Sequence, residues 1–155
     1  MPKPVRISVI GAGSATFSLG LVKDLCLTEN LAGSQVSFMD IDGDRLEAVT
    51  RMAERYTSEI GSDLTFEHTT SRQDSLKGAD FVINTAAAQS HQHQVDMRAV
   101  YAKHGYYYRG PGYGSFYNFN LMLDVARDME AICPDAWLIQ SGNPVFDGCT
   151  LMTRE

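Results

Sequence analysis

The stretch Val5-Arg6-Ile7-Ser8-Val9-Ile10-Gly11-Ala12-Gly13-Ser14-Ala15-Thr16-Phe17 decides the fold. Its first six residues form a short, β-branched apolar run stopped by a glycine, the pattern of a buried strand. Phe17, Leu21 and Leu25 then recur at four-residue spacing, which predicts a helix with those three along one face. Between strand and helix lies Gly11-Ala12-Gly13. There Gly11 permits a tight turn and Gly13 lets the backbone approach a pyrophosphate. The free N–H groups of Ser14, Ala15, Thr16 and Phe17, at the positive end of the helix dipole, favour its charge. Thr16 stands where a GxGxxG turn has its third glycine. A bare GxG also suits a plain tight turn. A strand before it, a helix after it and an acid downstream favour a dinucleotide site.

Moving outward, apolar runs alternate with segments of helical period, as in a parallel sheet covered by helices on both faces. Gln35-Val36-Ser37-Phe38-Met39 reads as the second strand, ending at Asp40. Leu46, Val49, Ala53, Tyr56 and Ile60 make one apolar stripe on a long helix, with Asp42 as N-cap candidate and Gly61 as C-cap. Leu64-Thr65-Phe66 is a brief third strand, Ser71 caps a short helical turn, and Phe81-Val82-Ile83-Asn84 is the fourth strand. A helix is expected from about Val95 to His104, stopped by Gly105. Another carries Met122, Val125, Ala126, Met129 and Ile132 on one face, and Ala136-Trp137-Leu138-Ile139 is the last strand. The expected fold is α/β, a doubly wound, Rossmann-like parallel sheet of order 3-2-1-4-5 filling residues 1–155 as one domain.

Length and composition agree. At 155 residues, 44% hydrophobic and 21% charged, the chain can bury a core and is neither disordered nor collagen-like. A net charge of −6 without a basic stripe argues against electrostatic binding to nucleic acid or an anionic membrane, so a small or neutral ligand is expected. Cys26, Cys133 and Cys149 are widely spaced and read as reduced thiols. With no apolar run long enough for a signal peptide or a membrane span, the expected setting is the cytoplasm.

The polar residues at the strand ends carry the functional reading. Asp40 lies near the offset of about 20 residues at which an acid accepts from the adenosine ribose hydroxyls. It would also repel a 2′-phosphate and so favour NAD over NADP; a helix-cap role is the alternative. Asn84 and Thr85 follow the fourth strand, and Ser141-Gly142-Asn143 follow the fifth, at the carboxyl edge where open α/β sheets bind ligands. Asn143, held before Pro144, could present its amide to a sugar hydroxyl or to nicotinamide, or could simply cap a following helix. Tyr106-Tyr107-Tyr108-Arg109-Gly110 could stack on a sugar, contact another subunit or anchor a surface loop. His91, His93 and His104 do not have ligand spacing and read as solvent or loop histidines.

Gly-Ala-Gly-Ser-x-x-Phe after the first strand, Asp40-Ile41-Asp42 with Arg45-Leu46, Tyr107-Tyr108-Arg109-Gly110 and Asn143-Pro144-Val145-Phe146 together resemble glycoside hydrolase family 4, particularly its α-glucosidase and α-galacturonidase-like members. The resemblance covers essentially the whole chain and makes Thr16 an ordinary family feature. It implies NAD and a divalent metal, usually Mn2+, and a redox-elimination hydrolysis of α-glycosides unlike the two-carboxylate scheme. In that scheme NAD oxidises C3 of the sugar, a base removes the C2 proton, the aglycone leaves, water adds and NADH reduces C3 again. Asn143 matches the asparagine that lies against the sugar hydroxyls. The family's base and metal ligands lie C-terminal to Asn143-Pro144, beyond residue 155. The resemblance therefore implies a truncated, inactive cofactor-binding part of a protein that forms homo-oligomers in some members. The competing readings are the cofactor domain of a lactate/malate-type 2-hydroxyacid dehydrogenase and a non-catalytic NAD-binding module.

Overall fold

The computed structural model describes residues 3–106 and 116–155. The tyrosine-rich stretch 107–115, including Tyr107, Tyr108 and Arg109, lies outside the described residues. Strands β1 (Arg6–Ile10), β2 (Gln35–Met39), β3 (Thr65–Thr69), β4 (Phe81–Asn84) and β5 (Trp137–Gln140) form a sheet of order β3-β2-β1-β4-β5, the expected 3-2-1-4-5. Every described pairing is parallel, with Ile10 opposite both Met39 and Asn84, and Asn84 opposite Gln140. These residues are the last of their strands, so the turns that follow them converge on one edge.

Helices α1 (Ala15–Cys26), α2 (Gly43–Ile60), α3 (Arg72–Leu76), α4 (His91–Lys103), α5 (Phe116–Ile132) and α6 (Val145–Met152) connect and flank the strands, with a 3-10 turn at Glu29–Leu31. Because side chains alternate across a strand, Ile7, Val9, Val36 and Phe38 face α1 and α2, packing with Val22, Leu46, Val49 and Ala53. On the opposite face Ile10, Met39 and Val82 pack with Leu76, Val125 and Met129. Cys133 closes this second layer, and burial pushes its thiol above the usual range. Trp137 (73% exposed) and Ile139 share the first face but lie on β5, beyond the side chains of α1 and α2 that make up that core.

The local signals act where they were expected. Asp42 caps α2 by accepting from Arg45 N–H at 3.1 Å, Ser71 caps α3 by accepting from Asp74 N–H at 3.2 Å, and Gly61 ends α2 at φ +69°.

Several boundaries differ from the sequence expectation. Strand β3 runs to Thr69 rather than stopping at Phe66, because its backbone follows β2 through the pair Met39–Thr69 whatever its side chains. α4 starts at His91, capped by the Ser90 side chain, and not at Val95; His91 and His93 are therefore helical, and His104 is the C-cap. α1 turns Ser18 and Val22 inward, with Leu21 and Leu25 partly buried, and leaves Phe17 39% exposed. A serine can take that inner position because its hydroxyl donates to Ala12 O at 2.7 Å. α6 is the helix that follows Pro144, with Gly148 inside it. Gly148 lies against the Met122 side chain of α5, which a larger residue there would displace. No described helix is long and apolar enough to cross a membrane.

Candidate functional site

The turn after β1 is built around two glycines with different physical tasks. Gly11 has φ +88°, a conformation that side chains strain to adopt. Its N–H and that of Ala12 donate to Met39 O at 2.9 and 3.0 Å, fastening the turn to the end of β2. A Cβ on Gly11 would lie 2.6 Å from the backbone N and Cα of Ala86, so the loop after β4 presses directly on the turn.

Gly13 answers to a neighbour that its sequence position does not reveal. Its N–H donates to Asp40 Oδ2 at 2.8 Å, and a Cβ there would stand 2.8 Å from the Asp40 carboxylate. A side chain at position 13 is therefore excluded by Asp40 itself. The other carboxylate oxygen accepts from Asp42 N–H at 3.0 Å. Asp40 is therefore fixed by backbone N–H groups on two sides, which locks the glycine turn to the end of β2. Each oxygen keeps a second acceptor direction.

Ser14 is the N-cap of α1, yet its side chain makes no capping bond, and the first turn carries no acidic residue. Ser14, Ala15, Thr16 and Phe17 are all exposed. The start of the helix thus presents backbone donors and the positive dipole end to solvent with no anion of its own. A groove of about 370 Å³ beside it is lined by Gly13, Ser14, Ala15, Arg45, Val49 and Met52.

On the other side of the turn, Thr85 Oγ donates to Ile10 O at 3.0 Å and lies 3.2 Å from Gly11 O, bracing the same turn. Asn84 was expected to face a ligand, but its side chain is fully buried. Its Nδ2 donates to Gln140 Oε1 at 2.9 Å and its Oδ1 accepts from Ala86 N–H at 3.2 Å, so the amide holds the loop from beneath. Gln140 Nε2 in turn donates to Gly142 O at 2.7 Å. Asn143 is exposed, as a ligand contact requires, and its bond to Pro144 is cis. It does not cap α6; Pro144 holds that position.

Ser18, Asn118 and Gln140 were not singled out from sequence, although each ties a loop of this edge. Asn118 Oδ1 accepts from Ala88 N–H at 2.8 Å while its Nδ2 donates to Asn143 O at 3.1 Å. His93 meets Tyr117, the residue before Asn118, edge-on at 6.3 Å. Among the described residues, no three His, Cys, Asp or Glu side chains come together in a way that could hold a metal ion.

Known proteins are similar to this chain in fold and in sequence. The model of family 4 glycosyl hydrolases matches residues 6–155. An α-glucosidase from Erwinia rhapontici is 30% identical over 96% of this chain and 35% of its own length. The crystal structure of a 6-phospho-α-glucosidase from gut microorganisms, in complex with NAD and Mn2+, superposes with a TM-score of 0.86 at 20% identity, over 98% of this chain and 36% of that one. A lactate dehydrogenase from Eimeria maxima, solved with NADH and oxamate, reaches 0.66 at 20% identity over 99% of this chain and 40% of that one. The chain spans about a third of the length of the curated relatives it matches. The dehydrogenase likeness is one of fold, whereas the family match is one of sequence from β1 onward, and on that ground the chain belongs to family 4 of the glycosyl hydrolases.

Proposed function

We propose that these residues form the NAD-binding part of a family 4 glycosidase that hydrolyses α-glycosides by redox elimination. The observation that carries the reading is the Asp40 carboxylate, held against Gly13 and Asp42 N–H at the end of β2 with acceptor capacity to spare. The ribose hydroxyls of an adenosine are two adjacent donors, and a carboxylate so fixed accepts both with no reorganisation. Ile41, 89% exposed, offers an apolar surface next to it for the adenine. Gly11, Gly13 and the exposed first turn from Ser14 to Phe17 would take the pyrophosphate, with the helix dipole offsetting its charge. Thr85 and Asn84 act through the backbone they hold, and Asn143 faces the space a sugar would fill. Bound NAD supplies a two-electron acceptor for oxidation of a sugar carbinol. A divalent metal does not fit any grouping among the described residues, so its ligands and the base are assigned to other parts of the family's longer chain.

Titration calorimetry of the 155-residue chain should give tighter binding of NAD than of NADP, because Asp40 repels a 2′-phosphate. Asp40→Ala should weaken NAD by about 1.5–3 kcal/mol, roughly 10- to 150-fold, and weaken NADP less. Equal affinities that the substitution leaves equal would overturn the assignment of Asp40 to the ribose.

The glycosidase part has its own readout. Given NAD, Mn2+ and a reductant, the 155 residues alone should release no nitrophenol from aryl α-glycosides. A chain extended to the length of the relatives should release it from at least one of a panel of glucosides, galactosides and glucuronides. Turnover by the short chain would place the chemistry within it and refute the division proposed here.

A further inference from the structure

The bases of the loops after β4 and β5 are already joined, since Asn84 bonds Gln140 and Asn84 O accepts from Ser141 and Gly142 N–H at 2.9 Å each. A Cβ on Gly142 would stand 2.8 Å from Ala86 O, so the loops touch at their roots. Farther out, a side chain of α5 spans them. Asn118, in the first turn of α5, accepts from Ala88 N–H at 2.8 Å and donates to Asn143 O at 3.1 Å. It uses one face of its amide on each loop. α5 is itself anchored to the sheet by Val125 and Met129, so the bridge stands on a packed helix.

We propose that Asn118 is a positioning residue that sets the width of the cleft between the β4 and β5 loops, and thereby the fit of the nicotinamide half of the dinucleotide. The inference rests on the NAD reading above. With adenosine at Asp40 beyond β2 and the pyrophosphate at the start of α1, the remaining half of the cofactor has to extend the opposite way, over the carboxyl ends of β4 and β5. The loops that Asn118 joins are the ones it meets there. ADP-ribose has the same adenosine, pyrophosphate and second ribose and lacks only the nicotinamide ring, so the ratio of NAD to ADP-ribose affinity reports on that ring, the distal end of this half.

The test is to titrate both ligands into the 155-residue chain, its Asn118→Leu variant and its Asn118→Asp variant, with circular dichroism confirming that each is folded. Leucine removes both bonds at similar volume. Aspartate keeps the acceptor for Ala88 N–H and loses the donor to Asn143 O, so it also serves if the leucine variant does not fold. Each substitution should weaken NAD about fivefold and ADP-ribose by less than about twofold. Amide exchange at Ala88 should quicken in the leucine variant and not in the aspartate variant. A merely structural role would weaken both ligands alike; that result, or an unchanged ratio, overturns the proposal while leaving the cofactor site in place. A wild-type chain that binds neither ligand overturns the NAD reading and this inference with it.

Discussion

Gly11→Ala is expected to cost about 3–5 kcal/mol of folding stability, the strain of a side chain at positive φ added to a clash that cannot relax. The added Cβ would lie 2.6 Å from the backbone N and Cα of Ala86. Backbone cannot swing aside as a side-chain end can, and Ala86 is pinned by its bond to Asn84 Oδ1. Gly61→Ala is the natural control, because Gly61 has φ +69° with nothing near its missing Cβ. It should cost only about 1–2 kcal/mol, the strain without the clash. Urea unfolding of the two variants separates these contributions, and equal losses would show that the contact between the β1 turn and the β4 loop is not as close as described. Whatever Gly11→Ala fraction remains folded should also have lost NAD, since relief of the clash moves the turn.

Phe38→Ala should destabilise the chain by about 3–5 kcal/mol. The ring is fully buried in the layer formed with α1 and α2, and it packs against Phe66 with centroids 5.2 Å apart at 41°. Both neighbouring strands and the α2 stripe enclose it, which limits how far the site can collapse around a cavity. Chemical denaturation measures the loss directly. A cost below about 1.5 kcal/mol, the range of tolerated core swaps, would mean that the cavity had refilled. Phe38 also stands two residues before Asp40, so this cavity should loosen the acid as well as the core.

What could be read along the chain was whatever short-range physics records. Strand β1, the glycine turn, the stripe on α2 and the caps at Asp42, Ser71 and Gly61 all follow from periods of 2 and 3.6 and from the needs of helix ends. Each depends on residues a few positions apart, and each is found in the structure. Phe17, Leu21 and Leu25 share a face of α1 as their spacing predicts, with Leu21 and Leu25 packed against the core and Phe17 39% exposed. The burial of Ser18 rests on the Ala12 carbonyl, which accepts from its hydroxyl.

The candidate site was legible as a set of positions and not as a set of contacts. Glycines, acid and strand-end amides could be located by their offsets, but which of them touch is a matter of strand register. Gly13 and Asp40 are 27 positions apart and meet because β1 and β2 are paired in step. Asn84 and Gln140, 56 apart, meet because β4 and β5 end together. A sequence period carries no record of such distant polar pairs. The sequence by itself determined that a strand, a glycine turn and a helix open a parallel sheet with an acid at the next strand end. Only the tertiary structure decided that Gly13 makes room for that acid, that Asn84 turns inward to Gln140, and that Asn118 spans the outer loops. The physical reason is that a buried or bridging amide has to find its partners wherever packing brings them.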